Sequence, residues 1–139
     1  MSTTTNAATA TPGSAAGAVP RPDLNGYLLQ VPGGTAIYWV DGGLLRWIPD
    51  LQTLQNLFGT SPTVTPDIDL VQIAGGTQVT SGAILAGSDS APAIYLIDNG
   101  TKRWIASGDA MRRYNFDQAQ AIGVLAILLD FIPSGPDLT

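Results

Sequence analysis

A fourteen-residue block occurs twice in this chain. Residues 36–49 read AIYWVDGGLLRWIP and residues 93–106 read AIYLIDNGTKRWIA, identical at eight of fourteen positions with a constant offset of 57. Identity that dense in so short a window marks a duplicated structural unit. A second correspondence lies at an offset of 59, where Ile73-Ala-Gly-Gly-Thr-Gln-Val-Thr80 matches Ile132-Pro-Ser-Gly-Pro-Asp-Leu-Thr139. Two residues have therefore been gained between the blocks. The chain divides into repeat 1 (23–80) and repeat 2 (81–139), after an arm (1–22) of Ala, Thr, Ser, Gly and Pro. An arm of that composition buries too little apolar area to offset its ordering entropy, so it is expected to be flexible unless a neighbouring subunit holds it.

Each block predicts a β-hairpin. Asn99-Gly100 is the preferred pair for a two-residue type I′ turn, and Gly42-Gly43 occupies the same place with the same tolerance of positive φ. That turn sets the cross-strand pairs Tyr95 with Trp104, Ile97 with Lys102, Leu96 with Arg103 and Ile94 with Ile105. In repeat 1 they become Tyr38 with Trp47, Val40 with Leu45, Trp39 with Arg46 and Ile37 with Ile48. A short helix follows in each copy, because Asp50 and Ser107 stand at equivalent positions and are both good N-caps. Leu51, Leu54 and Leu57, and then Ala110, Met111 and Tyr114, supply its apolar contacts, with Gly59 as a stop in the first copy. Segments 66–73 and 119–132 are compatible with strand or short helix. A lone hairpin is marginal in water. The expected fold is therefore mainly β (α+β): two tandem β-hairpin-plus-short-helix repeats packed with pseudo-twofold symmetry into one compact domain.

Missing residue types exclude much chemistry. All eleven acidic residues are Asp, and the chain has no Glu, no His and no Cys. Imidazole acid–base catalysis, Ser-His triads, the usual zinc sites, thiol chemistry and disulfides are all excluded. A glycosidase pair could be built from Asp alone, but no spacing singles one out, so no enzyme is expected. No cofactor is expected either: the Gly pairs at 33–34, 42–43 and 75–76 are turn signals without a phosphate-loop pattern. Asp41 and Asp98 flank the turns as backbone acceptors, and Asp67 and Asp69 alternate along an extended stretch without forming a dense acidic loop, so no metal is expected. A net charge of −5 disfavours nucleic acid and anionic membrane surfaces. The longest apolar stretch, 122–132, is too short to span a bilayer, and the N-terminus has no signal-peptide pattern. The expectation is a soluble chain, with any extracellular location reached by a non-standard export route.

The residues Ile94-Tyr-Leu-Ile-Asp-Asn-Gly-Thr-Lys-Arg-Trp-Ile105, with Ile132-Pro-Ser-Gly-Pro-Asp-Leu138 after them, resemble a repeat of many bacterial proteins. Its general form is G-x-L…V-Y-L-[IV]-x-x-G-x-[KR]-R-x-[IV]…I-P-x-G-P, and it accompanies cell-wall amidases and other envelope-associated proteins. Repeat 2 fits well. Repeat 1 departs where Leu44-Leu45 replace Thr101-Lys102 and where Ala74-Gly75-Gly76 replaces Pro-x-Gly. The resemblance implies a non-catalytic accessory or binding module whose two copies bind differently.

Seven residues are candidates for ligand binding: Tyr38, Trp39, Arg46, Trp47, Tyr95, Arg103 and Trp104. Tyr and Trp beside Arg suit stacking on sugar rings with hydrogen bonds to hydroxyls. The same cross-strand aromatics could instead fill the core, and the two Arg could serve internal bridges to Asp or to carbonyls. Trp39 is singled out because repeat 2 has Leu96 there, and pairing with Arg46 would allow cation–π stacking on an exposed face. Two functions follow from these features. The first is a non-enzymatic, lectin-like module for cell-surface or cell-wall carbohydrate. The second is a homo-oligomeric structural subunit (filament, sheath or shell) assembling through its N-terminal arm, favoured by a charged fraction of only 12%.

Overall fold

The computed structural model describes residue 13, residues 15–88 and residues 91–139. It is a mainly β, α+β chain with two four-stranded mixed sheets of the same design. The first holds β1 (Leu28–Gln30), β2 (Ile37–Asp41), β3 (Leu44–Trp47) and β4 (Val64–Pro66) in the order β3-β2-β1-β4. The second holds β5 (Ile84–Ser88), β6 (Ile94–Asp98), β7 (Thr101–Ile105) and β8 (Ile122–Val124) in the order β7-β6-β5-β8. Three strands of each sheet are antiparallel, and the last, β4 or β8, adds in parallel to β1 or β5. Among the described residues there are also three α-helices: α1 (Leu51–Phe58), α2 (Gly108–Arg113) and α3 (Ala126–Asp130).

The hairpins have the pairing that their turns require. Gly42 and Gly43 have φ of 60° and 78°, and Asn99 and Gly100 have φ of 53° and 73°. Positive φ at both central residues gives the twist that continues into two right-twisted strands. The register follows: Tyr38 faces Trp47, Trp39 faces Arg46 and Val40 faces Leu45, while Tyr95 faces Trp104, Leu96 faces Arg103 and Ile97 faces Lys102.

Two compact units emerge, and they do not coincide with the sequence repeats. One takes in the described residues up to Ile48 together with Thr63–Gln78; the other takes in Pro49–Pro62 and Val79–Thr139. Helix α1, encoded in repeat 1, thus belongs to the unit built on repeat 2. It packs on β5 and on the 3-10 turn Gln118–Gln120. Asp50 caps it by accepting the Thr53 amide, and Gly59 ends it at φ 83°. Leu54, Leu57 and Phe58 form its buried side, and Phe58 stacks on Phe116 with centroids 5.7 Å apart. Leu51 departs from the expected apolar set: at the first helical position it points outward and is 65% exposed. Ser107 caps α2 in the same way, and Ala110, Met111 and Tyr114 are buried.

In the first unit, Leu29, Val31, Val40 and Leu45 form one sheet face and pack with Leu70 and Ile73, with Leu24 and Tyr38 at the margin. Part of the arm pairs by its backbone beside this core. Val19 forms a parallel bridge with Ile73, donating to the Gln72 carbonyl at 3.0 Å and accepting from the Ala74 amide at 2.8 Å. Arg21 donates its amide to Gly43. The expectation of a free arm over 1–22 therefore does not extend to residues 15–21, where backbone pairing offsets the ordering entropy that composition alone could not. Residues 1–12 and 14 lie outside the described residues. The segments left open between strand and helix resolve into both. Residues 64–66 are β4 and 70–72 a 3-10 turn, whereas 122–124 are β8 and 126–130 are α3.

The outer edge of each hairpin is closed by the chain that comes later. Leu45 donates to the Ala74 carbonyl and accepts from the Gly76 amide, both at 2.9 Å. Lys102 does the same with Pro133 and Gly135 at 2.8 Å. This close approach explains the shared glycine. A β-carbon on Gly76 would lie 2.9 Å from the Leu44 β-carbon, and one on Gly135 would lie 3.1 Å from both Arg103 Cγ and Thr101 Oγ1. Gly76→Ala is expected to cost about 1–3 kcal/mol by overpacking. Gly135→Ala should cost less, because the flexible Arg103 can yield. Urea unfolding of the two variants reads the difference.

The Asp50 carboxylate is held below its ordinary pKa by the Ser81 hydroxyl and then by Thr53, both donating to it. A depressed folded value means stabilisation that is present above the unfolded carboxylate pKa and lost as pH falls through the folded one. The difference in melting temperature between wild type and Asp50→Ala should therefore be largest at neutral pH and shrink on acidification. Calorimetry across that range checks it.

Candidate functional site

The seven candidate side chains separate by sheet face. On one face of the first hairpin, Trp39 has no exposed surface and Arg46 is 6% exposed. The predicted cation–π contact is present, with the guanidinium carbon 5.8 Å from the Trp39 ring, but it is buried rather than on an exposed face. Arg46 is committed internally: Nη1 donates to Asp41 at 2.9 Å and Nε to the Thr77 carbonyl at 2.8 Å. In the second unit, Arg103 Nε donates to the Pro136 carbonyl at 2.9 Å. Thr77 and Pro136 are equivalent under the offset of 59. The recurring Arg is thus a repeated clamp on the edge-closing segment, and its fixed Nε–H direction suits that purpose.

The opposite face carries the other four. Trp47 is 40% exposed and Trp104 42%, while Tyr38 and Tyr95 are half-buried beside them. Burial raises the pKa of the Tyr38 phenol, which stays protonated and able to donate. Lys102 Nζ lies 5.6 Å from the Tyr95 ring centre and donates to the Leu129 carbonyl at 2.8 Å. Repeat 1 has Leu45 at this position, 1% exposed in the core. The Leu-for-Lys departure between copies therefore tracks a buried position in one unit and a half-buried one in the other.

Trp104 forms part of the wall of a cleft of about 340 Å³ at the open end of the β6–β7 hairpin. Pro92, Ala93 and Ile94 line one side, Ile105, Ser107 and Met111 the other, and Gln118 contributes a polar edge. Small-ligand pockets of this kind combine mostly apolar walls with a few polar groups and occupy ~300–1,000 Å³. The Ser107 hydroxyl accepts the Ala110 amide at 3.0 Å, which leaves its proton available to donate outward. Ser107 was visible in the sequence only as an N-cap. Pro92, Ala93 and Gln118 were not foreseen, because loop residues join a site through the backbone path and carry no periodic signal. A second concavity of about 310 Å³ in the first unit is lined by Arg21, Asp67 and Asp69. Arg21 is paired with Asp23 at 2.7 Å, and the Asp67 carboxylate accepts the Asp69 amide, so these groups are already engaged.

Comparison with family models, with curated proteins and with solved structures finds no match for the chain. Among the described residues, no helix is long and apolar enough to cross a membrane.

The two Arg should respond differently to truncation. Arg46→Met removes the buried cation beside Asp41, whose side chain is 9% exposed, and should cost about 3–5 kcal/mol. Arg103→Met removes the less buried of the two clamps and should cost less. Chemical denaturation of both variants decides, and equal losses would contradict this difference in burial.

Proposed function

We propose that this chain is a non-enzymatic binding module for cell-surface or cell-wall carbohydrate, with its principal site in the cleft beside Trp104. The observation that carries the reading is a half-exposed indole bounding an apolar cleft that has a hydroxyl and an amide at its rim. A sugar presents an apolar ring face and a ring of hydroxyls, and the cleft offers an indole for the first and Ser107 and Gln118 for the second. The lack of His, Cys and Glu in the sequence argues against catalysis at this cleft. The resemblance to a repeat carried by cell-wall amidases supports the same ligand class, and such a ligand implies an extracellular location. Of the seven candidates, the reading keeps Trp104 as the primary contact, with Tyr95 as accessory surface in the same unit, and leaves Tyr38 and Trp47 as a separate, secondary aromatic surface of the first unit. Trp39, Arg46 and Arg103 become structural.

A second reading, a self-assembling structural subunit, is supported by a separate observation: exposed large apolar side chains concentrate between Ile122 and Phe131.

A glycan array and a pull-down on isolated cell wall test the first reading. Wild type should bind, Trp104→Ala should lose about tenfold in affinity, equivalent to about 1.4 kcal/mol, and Trp47→Ala should lose less. No binding by wild type, or equal binding by folded Trp104→Ala, would defeat it.

A further inference from the structure

The two sheets end in parallel edge strands that occupy the same place but present different chemistry. In the first unit, Leu29 pairs with Thr65 and Gln30 with Pro66. In the second, Ala86 pairs with Ile122 and Gly87 with Gly123. Leu29 faces Tyr38 and Ala86 faces Tyr95, so Thr65-Pro66-Asp67 and Ile122-Gly123-Val124 are counterparts. Proline and a charge on an edge strand block pairing with another chain. The first edge has both, and the second has neither.

An apolar surface continues from that unprotected edge. Ile122 is 50% exposed, Leu125 57%, Ile127 62%, Leu128 52% and Phe131 79%. Residues 127, 128 and 131 share one side of α3, while Leu129, on the other, is 3% exposed. Their combined exposed area is on the order of 600 Å², at the upper limit for a monomer's largest patch and most of the ~800 Å² per partner of a standard interface. Across 118–132 the only charged residue is Asp130, in a chain of net charge −5. A second copy can approach here without the repulsion that the rest of the surface imposes.

We propose that β8 and the outer side of α3 form a homodimer interface, in which β8 pairs antiparallel with β8 of a second copy across a two-fold axis. The two four-stranded sheets then join into one of eight strands, with Leu125, Ile127, Leu128 and Phe131 of each copy packed over the junction. An isologous contact of this kind closes on itself and yields a dimer, not a filament. It deepens the self-assembly reading and stands apart from the carbohydrate site, since its residues do not line the Trp104 cleft.

Light scattering after size exclusion tests the proposal on the full chain, two substitution variants and a chain lacking 1–12. The triple variant Ile122→Thr, Gly123→Pro, Val124→Asp copies the β4 edge, which forms the same parallel ladder with those residues in place. Phe131→Asp alters an exposed side chain only. Wild type should run at twice its chain mass of 14.4 kDa, and both variants at that mass with unchanged far-ultraviolet dichroism. If the triple variant fails to fold, Phe131→Asp decides alone. Four results would overturn the proposal. They are a monomeric wild type, a dimer that persists in the folded variants, a mass that grows without a plateau, and dissociation on deleting 1–12 alone. Glycan binding by the monomeric variants is scored separately, so failure of the dimer and failure of the carbohydrate reading are distinguishable.

Discussion

Each hairpin in this protein is held by a segment that arrives some thirty residues later and hydrogen-bonds to its outer strand. The backbone pairing of Leu45 with Ala74 and Gly76, and of Lys102 with Pro133 and Gly135, satisfies groups that an edge strand would otherwise leave to water. A guanidinium fastens each closure, Arg46 on Thr77 and Arg103 on Pro136. Glycine is needed where the two backbones come close, because a β-carbon at 76 or 135 would meet the hairpin within about 3 Å. Three recurring features of the repeat, its turn, its Arg and its late glycine, thus belong to one device. They recur because the hairpin is marginal without them.

On that shared frame the copies have diverged in what covers them. Val40, Leu45 and Ile73 are buried in the first unit with Leu24 packed against their cluster, so apolar residues are retained there. Residues 74–77, one repeat length downstream of 17–20, are spent on closing β3 in the first unit. Ile97, Lys102 and Ile132 are only half covered. A lysine is tolerated among them because its ammonium reaches the Leu129 carbonyl. The Trp104 cleft and the apolar β8–α3 surface both lie in this second unit.

Much of the fold was legible. The turn residues dictated both hairpins and their register, and the N-caps Asp50 and Ser107 located two helices, since these are local effects of φ preference and of orphan amide donors. The site was less legible. Trp39 and Trp104 look alike as cross-strand aromatics, yet the first is buried and the second borders a cleft. Nothing in the spacing distinguishes them, because burial depends on which distant segment lies over each face.

The sequence by itself determined that a hairpin was made twice, where each chain reversal falls, which side chains face one another, and that no imidazole or thiol chemistry is possible. All of these follow from residue identity and from interactions within a few positions along the chain. Only the tertiary structure decided that Arg46 is a buried clamp, that α1 packs with the second unit, that arm residues Ala15 and Val19 pair with 71–74 and Arg21 with Gly43, and that β8 lacks the proline and charge guarding β4. Those outcomes depend on free energies of burial and pairing between segments tens of residues apart, and such energies have no local signature.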